Sequence, residues 1–134
     1  MTCFVDTSAL LAVMDTADAV HREARKTWDM LTSHRATLVT TNYVVLETVS
    51  ILQHRVGVGA VRTFHDAILP VLNIEWISSD RHDAAMTALL AADRRRFSLV
   101  DSVSIDTMRR RGLRYAFAFD KHFDEQGFAT DLGR

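Results

Sequence analysis

The chain has 134 residues, of which 48% are hydrophobic and 25% charged, and a formal net charge of -1. This excludes a disordered, collagen-like or low-complexity chain, and the length fits one domain that buries about two-thirds of its unfolded surface without disulfides or structural metals. A single Cys, Cys3, excludes a disulfide framework and a four-Cys zinc site, and suits a reducing cytoplasm.

No apolar run reaches the roughly 18 to 20 residues that span a bilayer, because Asp6, Asp15, Glu47 and Arg55 interrupt the candidates. The opening MTCFVDTSALLAVMD has an acid at its sixth position and no basic segment, so no secretory signal is expected. Residues 2 to 6 read as a short buried strand and SALLAVM as the start of a helix packed on a sheet. From Ala19 to Leu31, Val20, Ala24, Trp28 and Leu31 recur at helical spacing with Arg22, Glu23, Arg25 and Lys26 opposite, which predicts an amphipathic helix.

ATLVTT, residues 36 to 41, is short and rich in β-branched residues, a second strand, and Thr41 or Asn42 caps a helix running to about His54. After Gly57 and Gly59 a helical pattern resumes until Pro70 disturbs it, and NIEWI (73 to 77) reads as a third strand. Ser79 or Asp80 starts a helix reaching Arg95, Ser98 starts another that stops at Gly112, and YAFAFD (115 to 120) is a fourth strand. Strands alternating with longer helical stretches predict an α/β protein, three layers deep, with helices on both faces of a parallel sheet of four or five strands. No linker or repeat divides the chain, so a single domain over 1 to 134 is expected.

In such sheets, sites form beyond the carboxyl ends of the strands. Asp6 and Asp120 each follow an apolar strand there, Glu47 lies on the helix after the second strand, and Asp101 in the first turn of the helix begun by Ser98. Asp124, one helical turn beyond Asp120, can face the same way. Every acid also has a structural reading. Ser98 and Asp101 form a capping-box pattern, Asp6, Asp120 and Asp124 suit turns or caps, and Glu47, set among Val44, Val45, Leu46, Val49 and Ile51, suits a buried pair with Arg. Asp106 is spaced to pair with Arg110 and is read as structural. Convergence from separate elements favours the functional reading, because clustered carboxylates repel and a hard dication relieves them. All-oxygen donors suit Mg²⁺ or Mn²⁺ and phosphodiester hydrolysis.

Fourteen of the sixteen basic residues are Arg, and residues 94 to 114 hold seven Arg against two Asp. Arg94, Arg95 and Arg96 on one side of the Asp101 helix, and Arg109, Arg110 and Arg111 on the other, are placed to guide a polyanion backbone or to form a solvated or dimer-facing surface. The six His show no metal-ligand spacing, and only His122, beside Asp120, is placed to touch substrate.

The ordered set FVDTSALLA, Glu47 of NYVVLETVS, Asp101 of SLVDSVSID and FAFDKHFDEQGF resembles the acidic motifs of the PIN-domain ribonucleases, and among them the VapC-type toxins of bacterial toxin-antitoxin systems. The resemblance covers nearly the whole chain. It implies an endoribonuclease in which Asp6, Glu47, Asp101 and Asp120 hold Mg²⁺ or Mn²⁺, with Asp124 at a more variable acidic position and Thr7 and Ser8 orienting the first acid or a bound water. Cleavage then leaves a 5′-phosphate and a 3′-hydroxyl. Ala118 stands where many relatives have Thr, which removes a hydroxyl but no carboxylate. The resemblance also implies a cytoplasmic homodimer restrained by a small antitoxin, and hence exposed apolar helix surface; Leu11, Val20 and Trp28 are candidates for it, although a place in the core is the favoured reading for them. Two alternatives remain at this level. One is a non-catalytic RNA- or partner-binding module on the same fold. The other is a haloacid-dehalogenase-like phosphatase, disfavoured because Ser8 stands where that class needs its second Asp.

Overall fold

A computed structural model of the chain describes residues 1 to 133. Four strands, β1 (Thr2–Val5), β2 (Thr37–Thr41), β3 (Asn73–Glu75) and β4 (Tyr115–Phe117), form one sheet in the order β3-β2-β1-β4 with every neighbouring pair parallel. Parallel neighbours require crossovers, and these are helical. They are α1 (Thr7–Met14) and α2 (His21–Ser33), then α3 (Asn42–Arg55) and α4 (Val58–Thr63), then α5 (Ser79–Ala92) and α6 (Leu99–Arg111), with α7 (Lys121–Glu125) after β4. The expected α/β architecture is therefore present with four strands. Among the described residues a lone bridge from Tyr115 to Ala129 is all that approaches a fifth.

The strands are short and apolar because helices cover them. Cys3, Phe4 and Val5 have no exposed surface, and the largest fully buried side chains are Phe4, Phe64, Phe117 and Phe123. Leu10 of α1, Leu31 of α2, Leu52 of α3 and Met108 of α6 complete the same core. Each such side chain contributes about 1.5–3 kcal/mol by leaving water, an upper bound because unfolded chains already hide part of it.

Several boundaries move relative to the sequence reading, each for a local reason. Asp6 and Asp120 do not end strands: both are N-caps, with extended backbone and side chains accepting the amides of Ser8 and His122. Of the two candidate caps, Thr41 is the one used, accepting the Val44 amide, while Asn42 Oδ1 accepts the Ile77 amide at 2.8 Å. Ser78, not Ser79 or Asp80, caps α5, whose end is set by Asp93 in the left-handed region (φ 48), so that Arg94 to Arg96 form a loop rather than a last turn. Around Pro70, which has no N–H to donate, the helix after α4 loosens into a π turn (Phe64–Ile68) and a 3-10 turn (Leu69–Val71).

Leu11, Val20 and Trp28 belong to the core, the favoured of their two readings, and do not form a partner-facing surface. Leu11 and Trp28 are buried and Val20 packs against the same cluster, because α1 and α2 lie against each other. The large exposed apolar residues include Leu46 (70% exposed) and Trp76 (75%), which with Val45, Val49 and Ile74 line a groove of about 430 Å³ on the β3 edge. Among the described residues no helix is long and apolar enough to cross a membrane.

Candidate active site

The chain order places β2 and β3 on one side of β1 and β4 on the other, so the direction of winding reverses between β1 and β4. At such a switch the crossovers leave in opposite directions and open a crevice at the carboxyl ends of the two strands. Asp6 and Asp120 lie on its two sides. The Asp6 amide donates to the Phe117 carbonyl at 3.0 Å, continuing the β1–β4 ladder by one residue before the chain turns into α1.

The other two acids arrive on helices that start at the same edge. Asp101 occupies the first turn of α6 and completes a true capping box: the Ser98 amide donates to Asp101 Oδ2 at 3.0 Å and the Asp101 amide to Ser98 Oγ at 3.1 Å. Glu47, in the second turn of α3, is half-buried, and no Arg pairs with it among the described residues. The link between α1 and α3 is made by hydroxyls, Thr48 Oγ1 donating to Thr7 Oγ1 at 3.2 Å and Thr7 Oγ1 to the Val44 carbonyl at 3.4 Å.

Capping occupies one oxygen of each of three acids. Asp6 uses Oδ2 to accept from the Ser8 amide and hydroxyl, Asp101 uses Oδ2 for Ser98, and Asp120 uses Oδ1 for the His122 amide. In each case the second oxygen makes no hydrogen bond among the described residues, and none of the three is among the buried polar atoms lacking a partner there. Each is therefore held by one oxygen and keeps the other uncommitted. A helix N-terminus also stabilises nearby negative charge, which lessens the cost of keeping these acids in place.

Asp101 and Asp120 act electrostatically on both Asp6 and Glu47. Burial raises the Asp6 acid from 3.8 to about 6, with repulsion from Asp101 and Asp120 adding to it and the Ser8 hydrogen bonds opposing it. Burial likewise raises Glu47, opposed by Thr7 and reinforced by Asp101 and Asp120. Asp101 is raised by burial, opposed by the Ser98 amide, and reinforced by Asp120. Oxygens of Asp101 and Asp120 and a ring nitrogen of His122 lie within 4.8 Å of one another. Such spacing and an oxygen-rich donor set fit a hard divalent cation that keeps some of its water. His122 is a poor ligand as it stands: its Nε2 lies 2.9 Å from the Arg96 carbonyl oxygen, which can only accept, so Nε2 carries the proton.

The remaining candidate residues divide. Ser8 binds both sides of the crevice, since its Oγ donates to Asp6 Oδ2 at 2.6 Å and accepts the Phe119 amide at 2.9 Å. Asp124 is exposed and accepts from Thr130 Oγ1 at 2.6 Å, facing a cleft lined by Glu23, Ala118 and Asp131. Arg94 is taken by Glu125 at 2.8 Å, Arg110 by Asp106 and Arg111 by Glu75, and Arg109 donates to Gln126. Arg95 and Arg96 are exposed and make no ion pair among the described residues. Sequence reasoning missed Thr48, although a hydroxyl on the buried face of an apolar helix was a usable signal, and it missed Phe97, the buried aromatic in the arginine loop.

A parallel sheet with Asp101 and Asp120 close together at its switch point, and with Asp6 and Glu47 in electrostatic reach of both, suits a carboxylate-based nuclease. The chain belongs to the PIN domain family, whose model matches residues 3–129. It is similar to the 23S rRNA-specific endonuclease VapC20 of Mycobacterium tuberculosis, in both the CDC 1551 / Oshkosh and H37Rv strains, with 34% identity over 126 residues, 93% of this chain and 94% of the relative. The crystal structure of Mycobacterium tuberculosis VapC20, described as a sarcin-ricin loop cleaving toxin, matches with a TM-score of 0.85 and 32% identity, covering 97% of this chain and 98% of that one.

Proposed function

We propose that this chain is a Mg²⁺- or Mn²⁺-dependent endoribonuclease, the toxin of a toxin-antitoxin pair, and that Asp6, Glu47, Asp101 and Asp120 form its catalytic metal site. The observation that carries the reading is the shared arrangement of Asp6, Asp101 and Asp120, each fixed through one capping oxygen and free at the other. Because folding has already oriented the carboxylates, little reorganisation is needed when charge develops on the substrate.

Asp6 Oδ1, Asp101 Oδ1 and Asp120 Oδ2 are the atoms assigned to hold the cation, with Glu47 completing the acidic wall. When bound, the cation supplies neutralisation of the scissile phosphate and an acidified water for in-line attack. Thr7 and Ser8 keep Glu47 and Asp6 in position. Arg95 and Arg96 are assigned to the RNA backbone. Arg94, committed to Glu125, acts there only by shaping the loop, and Asp124, which lines a cleft with Glu23 and Asp131 that holds none of the four acids, receives no direct ligand role.

The sarcin–ricin loop of 23S rRNA, named for the relatives, is the first substrate to test. A small antitoxin and a second copy of the chain are the proposed partners, with the cytoplasm as the setting, and the Leu46–Trp76 groove offers apolar surface for such contacts. Incubation of the purified protein with a sarcin–ricin RNA and Mn²⁺ should give one discrete cut with a 5′-phosphate end, lost in EDTA and in Asp6→Asn. Cleavage that persists equally in EDTA, or in Asp6→Asn and Asp101→Asn, rejects the proposal.

A further inference from the structure

The loop between α5 and α6 is short, exposed at Arg94 to Arg96, and yet tied to α7 at three points. Arg94 pairs with Glu125 at 2.8 Å and sits over the Phe97 ring at 5.8 Å. Phe97, buried, meets the His122 ring edge-on, with centroids 5.5 Å apart and planes at 83°. His122 Nε2–H donates to the Arg96 carbonyl at 2.9 Å. Only the last of these tethers also reaches the acids, since the same Nε2 lies 3.6 Å from Asp101 Oδ2 and 3.6 Å from Asp120 Oδ1.

Those two oxygens are the capping ones, so His122 touches the side of the carboxylates turned away from their free oxygens. Its Nδ1 is buried without a partner. An imidazole that served only to fill space would be replaced at a gain by an apolar ring, because a buried polar atom left unpaired is unfavourable. The compensation lies at Nε2, in the contact with the arginine loop.

We infer that His122 is a positioning residue that locks the Arg95–Arg96 loop to the acidic pocket, so that the RNA backbone is presented to the acids in one register. This rests on the nuclease reading above and adds to it a determinant of substrate binding that touches neither phosphate nor cation.

The test uses the full chain with His122→Ala, which removes the donor, and His122→Gln, whose side-chain amide can donate from a similar reach. Hydrogen exchange is read at the Phe97 amide, which donates to the Arg94 carbonyl, and at the Ser98 amide, which donates to Asp101. Both should exchange several-fold faster in His122→Ala and recover in His122→Gln. On a sarcin–ricin RNA oligonucleotide, His122→Ala should raise KM about five- to tenfold with kcat within about twofold. In an Arg95→Ala/Arg96→Ala background it should raise KM no further. Calorimetric affinity for Mn²⁺ alone should be unchanged. Unaltered exchange, a loss confined to kcat, or a loss of Mn²⁺ affinity overturns the inference. A wild-type protein that cleaves no RNA overturns the nuclease reading instead, while the exchange result still judges the loop.

Discussion

Ser8 Oγ lies 2.6 Å from Asp6 Oδ2 and donates to it, while accepting the Phe119 amide from the opposite side of the crevice. One hydroxyl therefore sets the distance between the β1 end and the approach to Asp120. Ser8→Ala removes the hydroxyl that accepts the Phe119 amide and a hydrogen bond that favours the charged form of Asp6. The expected cost is about 1–3 kcal/mol of stability, read by urea denaturation. Mn²⁺ affinity should also fall more at pH 6 than at pH 8, because protons then compete better for Asp6.

The metal-free protein should become more stable on mild acidification. Asp6 has a folded-state pKa of about 6 against 3.8 for the ordinary acid, so between these values the folded state binds more protons than the unfolded one. Stability from this group therefore falls as pH rises from about 4 to 6 and stays low above it, by at most about 3 kcal/mol. Asp6→Asn removes that slope and should raise the metal-free melting temperature at pH 8. Melting curves from pH 4.5 to 8 in EDTA check both statements, and a wild-type melting temperature that climbs across this range contradicts them.

Divalent cations should reverse the sign of that behaviour. At 100 times the dissociation constant a bound ion adds about 2.7 kcal/mol, so Mn²⁺ should raise the melting temperature at pH 7.5 and release protons near pH 6. Asp101→Asn should abolish most of this gain and lower kcat by about 10²- to 10³-fold. Calorimetry in buffers of different ionisation enthalpy measures the protons released.

Arg95 and Arg96 should carry the salt dependence of RNA binding. Replacing both with Ala should reduce the slope of log affinity against log salt by about 1–2. Arg110→Ala, whose side chain is paired with Asp106, should leave that slope unchanged. Filter binding at several salt concentrations, with Asp6→Asn in the background to prevent cleavage, makes the comparison.

Arg81 belongs to the scaffold. It donates to Glu75 at 2.7 Å, Asp106 at 3.1 Å and Thr107 at 2.9 Å, joining the end of β3 to α5 and α6 in a partly buried network that Arg110 and Arg111 extend. Arg81→Ala should destabilise by about 1–3 kcal/mol while kcat per folded molecule stays near wild type. Unfolding curves and active-site-normalised rates separate the two.

By itself the sequence determined the alternation of strands and helices, the parallel sheet, and which acids fall near the strands' carboxyl ends, since periodicity, caps and an acid interrupting an apolar run are local signals. Asp101 shows the limit of that reading: the spacing Ser98-x-x-Asp101 reveals a cap, but not that the folded chain brings it into electrostatic reach of Asp6. Which arginines stay free was equally illegible, because the partners of Arg94 and Arg111 lie 31 and 36 residues away. The burial of Trp28 was decided by the docking of α1 on α2, and the role of His122 by a loop and a helix 26 residues apart. Distances across the fold come from packing the whole core, and no window of residues contains them.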